Sequence, residues 1–340
     1  MSSYSATLQI TTYPPDFPVV EHALPHQLRM WGTQVNKTNV ILDVHRSQSG
    51  RYRGMQYDEN LAKIRELLQY VASHYHNVNV CEVNYSELAR KNVSTSFFGL
   101  NKIPVKAWDG SAFYSYFYGL HVANSDYVLH MDGDMLFGGG SQTWLSEAVE
   151  FLKTHPDVLF AGPLPGPPHP TGSVYGHNDF CIMRESDGFT AYRFPDVSTR
   201  IFLVDLRRMR REIGTLPLLP PILIERLQSR ILGNPPARGA EEVLSIAMAS
   251  HKLSRVDFLG SGSGMWSLHP PFRSENFIRA LPALVRRVEQ GDVPEDQLGN
   301  YEINDSMFDW SEARASQTWT RRKWRDAKHV ASRFGLLPSD

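Results

Sequence analysis

Residues 127–137 read YVLHMDGDMLF. An apolar run, Tyr127-Val128-Leu129, leads through His130 and Met131 into Asp132-Gly133-Asp134, and the chain is apolar again at Met135-Leu136-Phe137. A strand with the character of a buried one thus ends in two carboxylates separated by one glycine. Such a pair suits a hard divalent cation, because Mg2+ and Mn2+ take oxygen ligands and share their coordination shell with phosphates. Gly133 lets the backbone turn sharply and approach a ligand closely. The plain alternative is an Asp-Gly-Asp turn with both acids in water. Apolar residues on both sides, which exposed turns seldom have, speak for the strand end.

Outward from this stretch, strand and helix signals alternate. ATLQITT (6–12) reads as a strand stopped by Pro14-Pro15. Residues 18–31 form an amphipathic helix with Val19, Val20, Ala23, Leu24, Leu28 and Trp31 on or near one side. NVILDV (39–44) is a short apolar strand carrying Asp43, 58–74 is a helix with Leu61, Ile64, Leu67, Leu68 and Val71 at helical spacing, and VNVCEV (78–83) is a third strand. Residues 109–123 read as a helix and 126–132 as the fourth strand. Farther on, 163–179 is a long Pro/Gly loop, 180–194 and 199–206 are strand candidates, 217–221 is a break, and 239–252 is a helix with two acids in its first turn. A glycine-rich loop, LGSGSGMWSLHPPF (259–272), leads to His269, and a basic helix is expected from about 313 to 335. This alternation predicts an α/β fold with a mostly parallel central sheet flanked by helices. Ligands of such sheets bind outside the carboxyl ends of the strands, where Tyr13, Asp43, Asp132 and Asp134 fall.

The totals are those of a soluble protein with a substantial core: 340 residues, 41% apolar and 21% charged, with a net charge of −1. Near-neutrality excludes a global bias toward nucleic acid or anionic membranes. Two cysteines, Cys81 and Cys181, are too few for a disulfide framework. With no secretory signal at the N-terminus, the expected location is the cytoplasm.

The motifs resemble, in order, those of GT-A fold glycosyltransferases, especially family-2-like ones. ANSDYVLHMDGDMLF is similar to their strand and DxD motif, and LQITTYPPDFPVVEHALPHQL to their first strand and helix. NVILDV resembles the second strand, whose acid contacts the nucleotide base. RGAEEVLSIAMASHKL resembles the helix whose first turn carries the ED motif and the catalytic base of inverting members. GSGSGMWSLHPP resembles a later loop that supplies a metal histidine. The resemblance spans about residues 6–272. It implies a glycosyltransferase domain over 1–272, with a nucleotide-sugar-binding half (1–137) and an acceptor and catalytic half (138–272), followed by a helical C-terminal extension (273–340).

Carried over residue by residue, the resemblance makes Asp134, Asp132 and His269 the ligands of Mn2+ or Mg2+. Thr11, Thr12, Tyr13, Asp43, Asp132 and Gly133 would hold a UDP-, GDP- or dTDP-sugar, and Lys106, read from its charge rather than from the resemblance, is a further candidate to grip its phosphates. Glu242 aligns with the catalytic aspartate, so this chain has a glutamate where the family has the shorter acid, and Glu241 remains a second candidate. The acceptor would be a sugar-containing or small molecule. STRIFLVDLRRM also resembles the strand after the DxD in family-8-like retaining enzymes, which leaves a retaining transfer as an alternative. A nucleotidyltransferase would show a glycine-rich basic loop where this chain has TTYPPDFP. An inactive sugar-binding protein would have little need of both aspartates, the glutamates and His269.

Each residue also has a plainer reading. Glu241 and Glu242 suit any helix start, and His269 before Pro270-Pro271 suits a turn. Arg51, Arg53 and Lys106 suit a solvated surface, while Trp108, Trp266 and Tyr175 suit the core as well as a stacked sugar or base. Asp134, as a surface carboxylate, is expected to matter little for stability, and the loop 259–272 to be open. The basic tail, with Arg314, Arg321, Arg322, Lys323, Arg325, Lys328 and Arg333 around Trp319 and Trp324, suits either packing on the domain or peripheral contact with the inner membrane face.

Overall fold

The computed structural model describes residues 4–48, 56–176, 180–184 and 190–316. Its first half is built from parallel strands joined by helical crossovers: β1 (Ala6–Thr12), α1 (Phe17–Trp31), β2 (Lys37–Leu42), α2 (Tyr57–His74), β3 (Val78–Glu82), α3 (Glu87–Phe98), α4 (Tyr114–Ala123) and β4 (Tyr127–Asp132). The second half comprises β5 (Leu136–Gly138), α5 (Trp144–Thr154), β6 (Val158–Pro165), β7 (Cys181–Arg184), β8 (Thr190–Phe194), β9 (Ile201–Asp205), α6 (Leu206–Glu212), α7 (Leu223–Leu232), α8 (Ala240–Ser250), β10 (Ser254–Phe258), β11 (Trp266–Leu268), α9 (Glu275–Gln290) and α10 (Ser311–Ser316).

The strands form one sheet in the order β3-β2-β1-β4-β9-β6-β10-β8-β7, with β11 pairing off this path with β6 and β5 pairing with β11. β1, β2, β3 and β4 run parallel, β9 is antiparallel to both β4 and β6, and β6 pairs in parallel with β10. This is the expected mixed α/β architecture, a mostly parallel sheet with helices on its faces. Side chains alternate between the faces. Leu8, Ile10, Leu129 and Met131 meet α1, α2 and α5 on one side, while Val128, Phe202 and Val204 meet α3, α4 and α8 on the other.

Residues beyond 272 share a core with the rest. Phe277, Leu281 and Leu284 of α9 pack with Val19, Leu136, Trp266 and Leu268 in one buried cluster. Trp266 is therefore a core residue, 4% exposed. The helix expected over 109–123 begins only at Tyr114, and the strand expected over 180–194 is two strands. The glycine-rich loop 259–272 is packed rather than open. Met265 N donates to Leu259 O at 2.7 Å, Ser261 bonds Glu147, and β11 inside the loop pairs with β5 and β6. Gly264 has φ +67°, and a Cβ there would stand 2.4 Å from the Leu259 side chain. Arg51, Arg53 and the tail from residue 317 lie outside the described residues.

Candidate active site

Parallel pairing sets Thr11 opposite both Ile41 and Asp132, so the ends of β1, β2 and β4 stand level at one edge of the sheet. β1 lies between β2 and β4, and the crevice at such a reversal of strand order is where α/β sheets bind ligands. The Asp132-Gly133-Asp134 turn is held there by its neighbours. Gly133 N donates to Thr11 O at 2.9 Å, and a Cβ on Gly133 would lie 2.9 Å from that same oxygen. Gln27, buried on α1, donates from Nε2 to the carbonyls of Asp132 (3.0 Å) and Met135 (2.9 Å). Buried His26 accepts from Phe137 N at 2.9 Å and bonds Glu289 of α9 through Nδ1 at 2.7 Å. Nothing in the sequence marks Gln27 or His26 for this task except that each is a polar side chain on the apolar side of α1.

Asp43 sits just past β2, 5% exposed, and its carboxylate is fully bonded. It accepts from Lys106 Nζ (2.7 Å), Ser115 Oγ (2.7 Å), Tyr85 Oη (2.6 Å) and its own loop at His45 N (2.9 Å). Burial alone would raise its pKa; the Lys106 charge and these hydrogen bonds bring it below the usual carboxylate range. Lys106 is thus a buried ion-pair partner, not a solvated cation, and its ammonium also lies 4.8 Å from the Tyr13 ring centre. Tyr13 Oη accepts from Ser47 N, and burial pushes this phenol up to about 12. Thr12 donates to Ile41 O and is 3% exposed, so it braces the wall of the crevice. Thr11 Oγ1 donates to Asp132 Oδ1 at 3.0 Å.

Lys106→Met will cost about 3 kcal/mol at neutral pH, the lower range for breaking a buried pair. In the native protein the depressed Asp43 pKa adds stability that is complete above the unfolded value of about 3.9 and is lost as pH falls through the folded value. Without Lys106, burial reverses the shift, so the deficit will shrink on acidification. Urea midpoints of both proteins across pH check the size and the sign; a deficit that is flat with pH would refute the pairing.

Asp134 is buried, 3% exposed, which corrects its expected place at the surface. One guanidinium, that of Arg273, bridges its Oδ2 and Asp16 Oδ1. His269 Nε2 stands 3.7 Å from the same Oδ2, and His269 Nδ1 lies 3.8 Å from Glu302. Burial would raise the Asp134 pKa, but Arg273 and His269 hold it below the usual range. Asp132 is shifted the other way, raised by burial and by the Asp134 charge. Arg200 lies beside Tyr301, whose ring stacks on His269 at 6.0 Å. His269 is fixed through its backbone, with His269 N donating to Tyr301 O and Ile303 N to His269 O, both 3.0 Å. Sequence reasoning missed Asp16, Arg200, Arg273, Tyr301 and Glu302; the last three lie beyond residue 272, where the resemblance ended.

The two glutamates at the start of α8 differ. Glu241 Oε2 accepts from Thr199 N (3.0 Å) and from Thr199 Oγ1 (3.2 Å). The next residue, Arg200, accepts at its carbonyl from Asp132 N at 2.9 Å, so α8 is tied to the Asp132 strand end. Glu242 Oε2 is buried and finds no hydrogen-bond partner among the described residues.

Two carboxylates and an imidazole are the right donors for Mn2+ or Mg2+, and 3.7 Å is a spacing that two ligands of one ion can have. Arg273, however, occupies the Asp134 oxygen, and among the described residues no group of three or more His, Cys, Asp or Glu side chains is set to hold an ion. The structure brings Asp134 and His269 together but leaves Asp132 on Thr11. Trp108 is half-buried, and Tyr175 is exposed and edge-on to His169.

No family model matches this chain, and no curated protein matches it. Among solved structures it is similar to S. aureus TarS 1–349, with a TM-score of 0.37 and 13% identity over 98% of this chain and 83% of that one. The same protein in complex with UDP-GlcNAc gives 0.37 and 11%, covering 98% and 82%. The mannosyltransferase PcManGT from Pyrobaculum calidifontis, in complex with GDP-Man and Mn2+, gives 0.33 and 12%, covering 99% and 88%. At such identities and scores no residue role passes from those proteins to this one.

Proposed function

We propose that this protein is a glycosyltransferase of the GT-A, family-2-like kind, moving a sugar from a nucleotide-sugar to an acceptor hydroxyl with inversion. The observation that carries the reading is the Asp132-Gly133-Asp134 turn, held at the carboxyl end of β4 level with β1 and β2, with His269 beside Asp134. In this reading Asp43 and Tyr13 border the place of the base and ribose, and the Asp132–Asp134 turn faces the diphosphate. Asp134 and His269 would hold Mn2+ or Mg2+, with Arg273 released from Asp134. A bound ion there neutralises charge on a leaving diphosphate.

The chain's own part in the chemistry falls to Glu242, the glutamate whose buried oxygen has no partner. It takes the proton of the acceptor hydroxyl. The acceptor oxygen forms its bond to the anomeric carbon from the face opposite the diphosphate, and the electron pair of the breaking bond leaves with the diphosphate oxygen. In this reading Arg273 and Arg200, both beside the acids of the turn, face that developing charge. Glu241, engaged by Thr199, positions the start of α8.

Calorimetric titration with UDP, GDP and dTDP, with Mn2+ and with chelator, tests the reading. One nucleoside diphosphate is expected to bind in Mn2+ and to lose most of its affinity in chelator. If none of the three binds under either condition, the reading fails.

A further inference from the structure

Helix α7 is inside out. Of its ten residues, LIERLQSRIL, only Ser229 is buried. Its apolar side chains point to water: Leu223 is 82% exposed, Ile224 61%, Leu227 59% and Ile231 43%, with Ile222 (50%) and Leu218 (38%) just before it. At helical spacing Leu223, Ile224, Leu227 and Ile231 make one stripe about 100° wide, the width a helix normally turns to a core. The face turned to the protein carries Ser229, Glu225 and the half-buried Leu232.

The fold holds the helix in this attitude. The proline-rich run before it bonds back to the body, with Leu216 N on Phe97 O (2.7 Å) and Arg238 N on Leu219 O (3.2 Å). Glu225 Oε2 caps Ile222 N at 3.0 Å and lies 3.9 Å from Arg238. After Gly233, a left-handed C-cap at φ 76°, Asn234 donates to Trp108 O at 3.1 Å. The ends are therefore fixed, while among the described residues Leu223, Ile224 and Leu227 stay largely exposed.

Charge decides what covers it. Arg226 and Arg230 run along one edge of the stripe. The adjoining cavity, about 560 Å³, is bounded by Leu218, Gly233 and Pro235 together with Arg46, Arg90, Lys102 and Lys106, and among the described residues no acid lines it, although Arg46 lies 3.8 Å from Asp58 and Lys106 is paired with Asp43. A second copy is a poor fit. A ten-residue helix, about 15 Å long, offers far less than the roughly 800 Å² per partner of a stable interface. Antiparallel self-pairing would also bring the same arginine edge of both copies to one contact, with Glu225 turned away. An outward apolar stripe edged by cations is the pattern of a helix lying in the plane of an anionic bilayer.

We propose that α7 docks this protein on anionic phospholipid membranes, with Leu223, Ile224 and Leu227 in the acyl boundary and Arg226 at the headgroups. The inference is independent of the catalytic reading. It is tested by co-sedimentation of the full chain with vesicles of phosphatidylcholine alone and of phosphatidylcholine with phosphatidylglycerol in equal parts. The native protein is expected to sediment with the mixed vesicles. Leu223→Ser and Leu227→Ser will each weaken this about tenfold. Arg226→Gln will weaken it about fivefold on mixed vesicles only. All three sites are exposed, so thermal melting should be unchanged. The proposal is overturned if the native chain stays in the supernatant, or if both serine variants sediment as it does. Light scattering that shows a dimer dissociated by Leu223→Ser would equally overturn it, in favour of self-association.

Discussion

Glu242→Gln will lower turnover on the order of 10²–10⁴-fold, the usual cost of losing a positioned base, while donor affinity stays near the native value. The glutamine keeps the shape of the side chain but cannot take the acceptor proton. Glu241→Gln will do much less to the rate, because that carboxylate already accepts from Thr199 N and Thr199 Oγ1 and acts on the backbone around Arg200. The contrast between adjacent residues is the informative result, since a merely structural role for the start of α8 would make both changes alike. Proton NMR of the new glycosidic bond gives an independent check, with inversion expected relative to the donor. An active Glu242→Gln variant, or a retained configuration, would move the assignment to a retaining mechanism and leave Glu242 as a helix-start acid.

Asp134→Asn will abolish Mn2+-dependent donor binding and with it measurable turnover. Asp134 supplies the oxygen that stands 3.7 Å from His269 and that Arg273 already grips. Because Asp134 is buried, the change also carries a stability cost of about 1 kcal/mol: the asparagine oxygen still accepts from Arg273 but the charge is lost, and the partly exposed Arg273 keeps Asp16. Arg273→Ala separates the two roles: it leaves Asp134 without its cation, so Mn2+ alone should bind the donor-free variant more tightly than the native protein. Calorimetry with Mn2+ alone and then with nucleotide reads both effects. Full activity of Asp134→Asn in chelator would remove the metal from the mechanism, and an unchanged Mn2+ affinity in Arg273→Ala would show that Arg273 does not compete for that oxygen.

Much of this was legible along the chain. The strand over 6–12 and the helix over 58–74 are within a residue of their observed bounds, because alternation, helical spacing and the Pro14-Pro15 stop are local signals. The Asp132-Gly133-Asp134 turn could be placed at a strand end from its flanking apolar runs alone. α9 falls inside the helical extension expected over 273–340, and Phe277, Leu281, Leu284 and Val288 repeat at helical spacing, but that repeat does not say that the helix shares a core with Val19 and Trp266. α7 was missed: its period is clear, but its sequence cannot say that the stripe faces outward.

By itself, then, the sequence determined the alternation of strands and helices, the mostly parallel sheet it implies, and the strand end at which the acids gather. It could not determine the partners of those acids. Lys106 pairs with Asp43 across 63 residues and Arg273 with Asp134 across 139, and no local pattern distinguishes either cation from a solvated one. Only the tertiary structure decided that Glu241 is engaged while Glu242 Oε2 is buried without a partner among the described residues, that Asp134 is buried, and that α7 turns its apolar face to solvent. The physical reason is that propensity and periodicity act over a few residues, whereas burial and Coulomb pairing depend on distances in space that exist only once the sheet order has brought remote segments together.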